Sequence, residues 1–177
     1  MKKQDNGRID KSVYDLLCKQ IEKEWNSMLL YRQLQGICDA NKMSSAGKYF
    51  GARADEEITH GKKFSEYLTK RGAVVPEFSI KPTKVEFDGT LLCLVEAALE
   101  HEQTITDSIT NIALACEKAK DVMTRDFISW FITEQIEEES TFDTIIDEIE
   151  KANGDVAAIQ NIEWGMPYRN EVWNKLN

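Results

Sequence analysis

Four long segments of the sequence carry apolar residues every three or four positions, and each series is interrupted near its middle by an acidic residue. In the second segment Glu57 is followed three residues later by His60, so both side chains project from one helical face. A carboxylate and an imidazole on a core-facing stripe carry a large desolvation cost unless a partner offsets it, and a metal ion is the simplest partner. The pattern therefore predicts a bundle of helices with metal ligands in its core.

Capping and turn signals indicate where the predicted helices begin and end. Asp10 is suited to cap the first helix, and Ser44 or Ser45 the second. The second helix is expected to end at Arg71-Gly72, with the glycine in the C′ position. We expect a single domain over residues 1–177, with helices at about residues 10–40, 44–70, 89–118, 122–152 and 155–164.

Residues 73–88 break the helical pattern. Pro76 and Pro82 stand among alternating apolar residues, which favours an extended strap, and at ~3.3 Å per residue such a strap can cover the length of a helix. The third helix can then begin at the opposite end of the bundle. The predicted fold class is therefore all-α, a four-helix bundle with one long crossover and a short C-terminal fifth helix.

Composition narrows the classes of function. The net charge of −9 argues against non-specific binding to nucleic acid or to an acidic membrane. No apolar run follows the N-terminal lysines and no stretch reaches the ~20 apolar residues of a membrane span, so we expect a cytoplasmic protein. Without a C-x-x-C pair, the cysteines are expected to be free thiols in or near the core: Cys18, Cys38, Cys93 and Cys116.

Each long helix places ligand-type side chains near mid-length on its core stripe, and in a bundle of such helices these positions converge on one level. They are Glu24, Glu57 with His60, Glu102, and Gln135 with Glu138. Oxygen and imidazole ligands suit iron, manganese or zinc better than a soft metal. The alternative interpretation is a set of acids that face a solvated cavity or form ion pairs between helices.

Several neighbours of these residues have two possible roles. His101 immediately precedes Glu102 and lies about 100° around the helix from it. We therefore interpret His101 as a supporting or surface residue and not as a direct metal ligand. Tyr31 shares a stripe with Glu24 and is either a packed aromatic or a donor of an electron or hydrogen bond near the metal. Three further acids lie either on a solvated face or in a peripheral metal site: Glu56, Glu134 and Glu137.

Together these residues resemble the ferritin family, and within it the prokaryotic non-haem ferritins. The resemblance extends from Glu24 to the end of the fourth helix, and its most specific parts are residues 55–60, 101–103 and 133–139. It implies a ferritin-like bundle. The fourth helix lacks a second Glu-x-x-His, which argues against bacterioferritins and rubrerythrins.

The resemblance implies a di-iron centre without haem. Glu24, Glu57 and His60 would hold the first iron. Glu57 would bridge to the second, which Glu102 and Glu138 complete.

The resemblance also implies roles for residues around that centre. Gln135 would lie in or near the ligands of the second iron, and Tyr31 matches the tyrosine beside the centre. A third, outer iron site is matched by Glu56, Glu134, Glu137 and Glu138.

The function implied is iron storage and detoxification by a ferroxidase. Fe(II) would be oxidised with O₂ or H₂O₂ and stored as a ferric mineral inside a hollow homo-oligomeric shell, of twenty-four subunits in the family. Glu117 and Asp121, near the turn into the fourth helix, are candidates for lining an uptake pore. Two alternatives remain open here: a ferritin-like di-metal oxidase or peroxide reductase that stores nothing, and a helical interaction protein whose acids no longer bind metal.

Overall fold

A computed structural model of the chain describes residues 6–81 and 84–169. The elements are α1 (Lys11–Ala40), α2 (Ser44–Lys70), α3 (Leu91–Ala119), α4 (Val122–Lys151) and α5 (Val156–Gly165), followed by a short 3₁₀ helix, Met166–Arg169. The described residues contain no strand. The predicted all-α fold with four long helices and a short fifth one is confirmed, and the helix bounds differ from the expected ones by at most two residues.

Most helix ends follow the local sequence signals. The side chain of Asp10 accepts a hydrogen bond of 2.9 Å from the backbone N–H of Ser12, as expected of an N-cap. At the end of α2, Gly72 has a φ of +75°, and the N–H of Ala73 donates to the carbonyl of Leu68 at 2.9 Å. This is the Schellman arrangement, which requires a left-handed residue and so favours glycine. Side-chain caps also begin the later helices, from Thr90, Asp121 and Asp155.

The start of α2 contradicts the prediction of a serine cap. Ser44 and Ser45 lie inside the helix, and Met43 at the N-cap position makes no side-chain hydrogen bond. The carboxylate of Glu163 in α5 takes the role instead, accepting from the N–H groups of Ser45 at 2.7 Å and Ala46 at 2.8 Å. Buried N–H groups at a helix start need an acceptor, and the helix dipole favours a negatively charged one.

Two apolar clusters fill the bundle. The first is built from the later halves of α1 and α4 and the earlier halves of α2 and α3, with Leu34 and Phe50 among its members. The second is built from the opposite halves of the same helices, with Leu17 and Phe64 among its members. Neighbouring helices α1 and α2 are therefore antiparallel, as are α3 and α4, and the mid-points of all four lie between the clusters.

The segment between α2 and α3 runs from one cluster to the other. Val75 packs against the second cluster, next to the end of α2, and Phe87 packs against the first, next to the start of α3. Between them the ring of Phe78 stacks on Trp25 of α1, with 6.3 Å between ring centroids. The segment thus provides the long crossover of the predicted bundle. Pro82, one of the two prolines behind that prediction, lies outside the described residues.

All four cysteines are free thiols, in agreement with their spacing. Cys38 and Cys116 are buried, and burial raises the pKa of Cys38 to about 12 and that of Cys116 to about 11. Such thiols stay protonated near neutral pH and pack as small apolar groups. In the described part of the chain, no helix is both long and apolar enough to cross a membrane.

Candidate metal centre

A layer of buried polar side chains separates the two apolar clusters. All four long helices contribute to it, and no member, taken as a whole residue, is more than 5% exposed. Ionisable groups are buried at such density only where they are paired or hold an ion. The members are Gln20, Glu24, Arg53, Glu57, His60, Glu102, Gln135 and Glu138.

Glu24, Glu57 and His60 form a compact group in this layer. The Nδ1 atom of His60 lies 3.6 Å from Oε2 of Glu57 and 3.9 Å from Oε2 of Glu24. One ligand atom from each residue lies within 4.8 Å of the others. These separations are too long for hydrogen bonds but fit atoms that surround one ion at about 2.0–2.2 Å each. Oε2 of Glu24 and Nε2 of His60 have no hydrogen-bond partner among the described residues.

Charge in this group favours a bound cation. Burial and the charge of Glu57 raise the pKa of Glu24 well above its ordinary value. Burial opposes the charged form of His60, but Glu57 outweighs it, so the pKa of His60 is raised. Burial would also raise the pKa of Glu57, but His60 outweighs it and the pKa of Glu57 is lowered. The group therefore holds protons that a divalent ion would displace.

Glu102 is held by neutral donors on both of its oxygens. The hydroxyl of Tyr31 donates to Oε1, and Nε2 of Gln135 donates to Oε2 at 2.9 Å. The negative charge of Glu102 also contributes to the raised pKa of Glu24, so Glu102 is electrostatically coupled to the group of Glu24, Glu57 and His60. The carboxylate of Glu138 is instead in contact with the guanidinium of Arg53. Neither Glu102 nor Glu138 joins a compact cluster of three ligand atoms among the described residues.

The acids predicted for an outer metal position share a small cavity of about 40 Å³. Glu56, His60 and Glu134 form a second compact group, with one ligand atom from each within 4.8 Å of the others. His60 therefore takes part in both groups. The cavity is lined by Tyr49, Arg53, Glu56, Glu134, Glu137, Glu138, Thr141 and Arg169.

Tyr31 and His101 stand beside the layer. Tyr31 is fully buried, and burial and the charge of Glu102 raise its pKa well above the ordinary value. The Nε2 atom of His101 lies 2.7 Å from Oγ of Ser27, and its ring meets the Tyr31 ring edge-on at 6.4 Å between centroids. In the described residues His101 belongs to neither compact ligand group, and its interpretation as a supporting or surface residue stays a prediction.

Sequence reasoning missed two members of the layer. Gln20 donates from Nε2 to Oε1 of Glu24 at 2.8 Å and so orients that carboxylate. Arg53 reaches the carboxylates of Glu56 and Glu138. Both lie four residues before a predicted ligand, Gln20 before Glu24 and Arg53 before Glu57, and this spacing puts them on the same helical face. That spacing was the available signal.

The two pore candidates have partners of their own. Asp121 caps α4 by accepting from the N–H of Thr124 at 3.0 Å and forms an ion pair of 3.3 Å with Arg71. Glu117 is exposed and lies 3.6 Å from Arg125. A pore role for either residue stays a prediction.

Comparisons with known proteins place most of the chain beside one family. A sequence model of the ferritin-like domain matches residues 14–152. The chain is 36% identical over 159 residues to a bacterial non-haem ferritin of Campylobacter jejuni, covering 88% of this chain and 95% of that one. It is 32% identical over 147 residues to the bacterial non-haem ferritin of Staphylococcus saprophyticus, covering 83% and 87% of the two chains. Among solved structures, an Archaeoglobus fulgidus ferritin engineered into a closed form matches with a TM-score of 0.85 and 25% identity, over 89% of this chain and 96% of that one.

Proposed function

Because the chain belongs to the ferritin family, as a prokaryotic non-haem member, we propose that it oxidises Fe(II) and stores the product as a ferric mineral. Iron is the substrate and the cargo of this reaction. The observation that carries the proposal is the buried group of Glu24, Glu57 and His60, in which one ligand atom from each residue lies within 4.8 Å of the others. The match to non-haem ferritins over most of the chain supports the same function.

The first Fe(II) ion binds to the carboxylates of Glu24 and Glu57 and the imidazole of His60. Glu57 bridges to a second ion, which Glu102 and Glu138 complete, with Gln135 in or near its ligands. Anionic oxygen ligands stabilise Fe(III) more than Fe(II), and they thereby favour electron loss. Two Fe(II) ions supply the two electrons that reduce O₂ to H₂O₂ with two protons, or H₂O₂ to two water molecules with two protons.

The surrounding side chains orient these ligands and handle protons. Gln20 donates to Glu24, and Tyr31 and Gln135 donate to the two oxygens of Glu102, which fixes both carboxylates before iron arrives. Preoriented ligands lose less conformational entropy on binding. Glu24 and His60, with their raised pKa values, release protons when an ion binds.

The finer features of the function rest on the family resemblance. We propose a third iron position at the acid-lined cavity, held by Glu56, Glu134, Glu137 and Glu138. We also propose that the chain assembles into a hollow shell of twenty-four copies in the cytoplasm, without haem. Storage requires such a closed shell, whereas a non-storing oxidase does not.

The test is aerobic addition of Fe(II) to the purified metal-free protein, with ferric absorbance followed in time and particle size measured by size-exclusion chromatography. We expect rapid oxidation in a very large particle. Glu57→Ala should slow the early phase, and Glu66→Ala should not, since Glu66 is an exposed acid on the same helix. Oxidation in a small oligomer would favour the non-storing oxidase, and oxidation no faster than in buffer would contradict ferroxidase activity.

A further inference from the structure

A charged arginine lies inside the polar layer, among the acids proposed to bind iron. The side chain of Arg53 on α2 is 6% exposed, and its Nη1 atom donates to Oε2 of Glu56 at 2.7 Å. Its Nη2 atom contacts the carboxylate of Glu138 on α4. The guanidinium therefore joins two helices through two carboxylates that are themselves only 10% and 4% exposed.

The guanidinium occupies this position with a permanent charge. Arginine is not deprotonated in proteins, and its planar fork matches carboxylate geometry. The contact with Glu138 is buried, so it is weakly screened by solvent. The Cζ atom of Arg53 lies 5.8 Å from the centroid of the Tyr31 ring, which adds a cation–π contact. The acids between α2 and α4 are thus partly neutralised before any metal binds.

The charge is distributed unevenly over the proposed iron positions. The ion pairs of Glu24 and Glu57 are formed with His60, which gives up its proton to a metal ion. Glu138 and Glu56 instead pair with Arg53, which cannot lose its charge. Arg53 and Arg169 also line the cavity shared by the outer acids. An ion bound by Glu138 or Glu56 must therefore displace a guanidinium that contacts its ligands. At the first position Arg53 acts on Glu57 and His60 only through its charge, without such a contact.

We infer that Arg53 is a tethered counter-ion that occupies the cation position between Glu56 and Glu138 and is displaced when metal ions bind there. The inference rests on the proposed function and adds an order of filling. The position of Glu24, Glu57 and His60 fills first, and the positions that use Glu138 and Glu56 fill later and with lower affinity. Without Arg53 the later positions would bind more tightly, at the cost of buried acids without a counter-ion in the metal-free protein.

The test uses Zn(II), which binds oxygen and imidazole ligands without redox chemistry, titrated by calorimetry into the assembled metal-free protein. In Arg53→Gln the later binding steps should tighten by about tenfold or more, and the first step should change by much less, because Arg53 does not contact Glu24, Glu57 or His60 directly. Arg53→Lys, which keeps the charge but loses the fork, should lie between the two. Arg71→Gln is the matched control, because Arg71 pairs with Asp121 at the far end of α2 and should leave every step as in the wild type.

Stability separates this role from a purely structural one. Zn(II) should raise the melting temperature of Arg53→Gln by more than that of the wild type, because bound metal replaces the missing charge. A guanidinium that serves only the fold would lower the stability of the metal-free and zinc-loaded forms equally, and that result would overturn the inference.

A zinc-loaded crystal structure of the wild type tests the inference even where Arg53→Gln does not fold. We expect zinc at Glu138 and the guanidinium withdrawn from it. Arg53 still paired with Glu138 beside a fully occupied second ion would overturn the inference, as would unchanged later steps in a folded Arg53→Gln. A wild type that binds no zinc at Glu24, Glu57 and His60 would overturn the proposed function and the inference with it.

Discussion

The Oε1 atom of Glu163 lies 2.7 Å from the backbone nitrogen of Ser45, although the two residues are 118 positions apart in the sequence. The same oxygen accepts from Ala46, so one carboxylate of α5 satisfies two N–H groups at the start of α2. A second charged contact follows in the 3₁₀ helix, where Arg169 pairs with Glu148 of α4 at 2.5 Å. Charged contacts therefore fix α5 and the 3₁₀ helix onto the bundle.

Replacing Glu163 tests this contact. Glu163→Ala leaves two N–H groups at the start of α2 without an acceptor, which should cost about 1–3 kcal/mol of stability. Glu163→Gln keeps an oxygen acceptor and should cost less, because it loses only the charge at the helix N-terminus. Chemical denaturation of both variants measures the difference. Glu150→Ala, an exposed acid of α4, serves as the control, and a Glu163→Ala as stable as that control would contradict the role.

Removing the hydroxyl of Tyr31 should separate the effect of its hydrogen bond to Glu102 from the effect of its stacked ring. In Tyr31→Phe the Oε1 atom of Glu102 loses its donor, while the stacking of the ring on Phe50 and Phe142 remains. We expect a loss of stability of about 1 kcal/mol and a slower early phase of Fe(II) oxidation, by about tenfold. Stopped-flow absorbance measures the rate.

Tyr14→Phe is the matched control, since Tyr14 is also buried but lies in the second apolar cluster, ten residues before Glu24, where its hydroxyl donates to the carbonyl of Val74 at 2.9 Å. It should oxidise Fe(II) at the wild-type rate. Equal rates in both variants would show that the hydroxyl of Tyr31 contributes nothing beyond its ring.

The features that could be predicted well from the sequence are those determined by residues close together in the chain. Apolar spacing gives the four long helices, and Gly72 marks the end of α2 because a left-handed residue is required there. The level at which Glu24 and Glu57 meet also follows from periodicity, since mid-helix positions of antiparallel helices of similar length face each other. The two prolines in residues 73–88 indicate an extended segment, and the length of that segment was enough to predict the crossover between α2 and α3.

The features that sequence did not predict depend on contacts between distant segments. Ser44 and Ser45 satisfy the local rule for a cap, but a carboxylate from α5 has the stronger attraction to the helix N-terminus, and no pattern near Ser45 reports it. Likewise, Arg53 lies on the correct face to reach the metal centre, but its pairing with Glu138 depends on how α2 and α4 pack.

Metal affinity should rise with pH. The pKa of Glu24 is raised by burial and by Glu57, and the pKa of His60 is raised by Glu57 in spite of burial. Both groups must lose a proton to bind an ion, so protons compete with metal below these raised pKa values. We expect the first Zn(II) step to tighten from pH 5.5 to 7.5 and to release protons. Calorimetry in buffers of different ionisation enthalpy measures that release, and an affinity independent of pH would contradict the proposed protonation states.

Stability at low pH should depend on Asp121. Burial would raise its pKa, but hydrogen bonds from Thr124 and the guanidinium of Arg71 outweigh burial, so the pKa is lowered. A lowered pKa in the folded state means that the carboxylate stabilises the fold above its unfolded pKa of about 3.9, and that this stabilisation is lost as pH falls toward the folded value. Asp121→Asn should therefore cost about 1 kcal/mol at pH 6 and much less at pH 3, as measured by urea unfolding. Arg71→Gln should remove only part of this pH dependence, because the hydrogen bonds from Thr124 lower the pKa of Asp121 more than Arg71 does. A cost of Asp121→Asn that is equal at both pH values would show that the carboxylate acts only as a neutral cap.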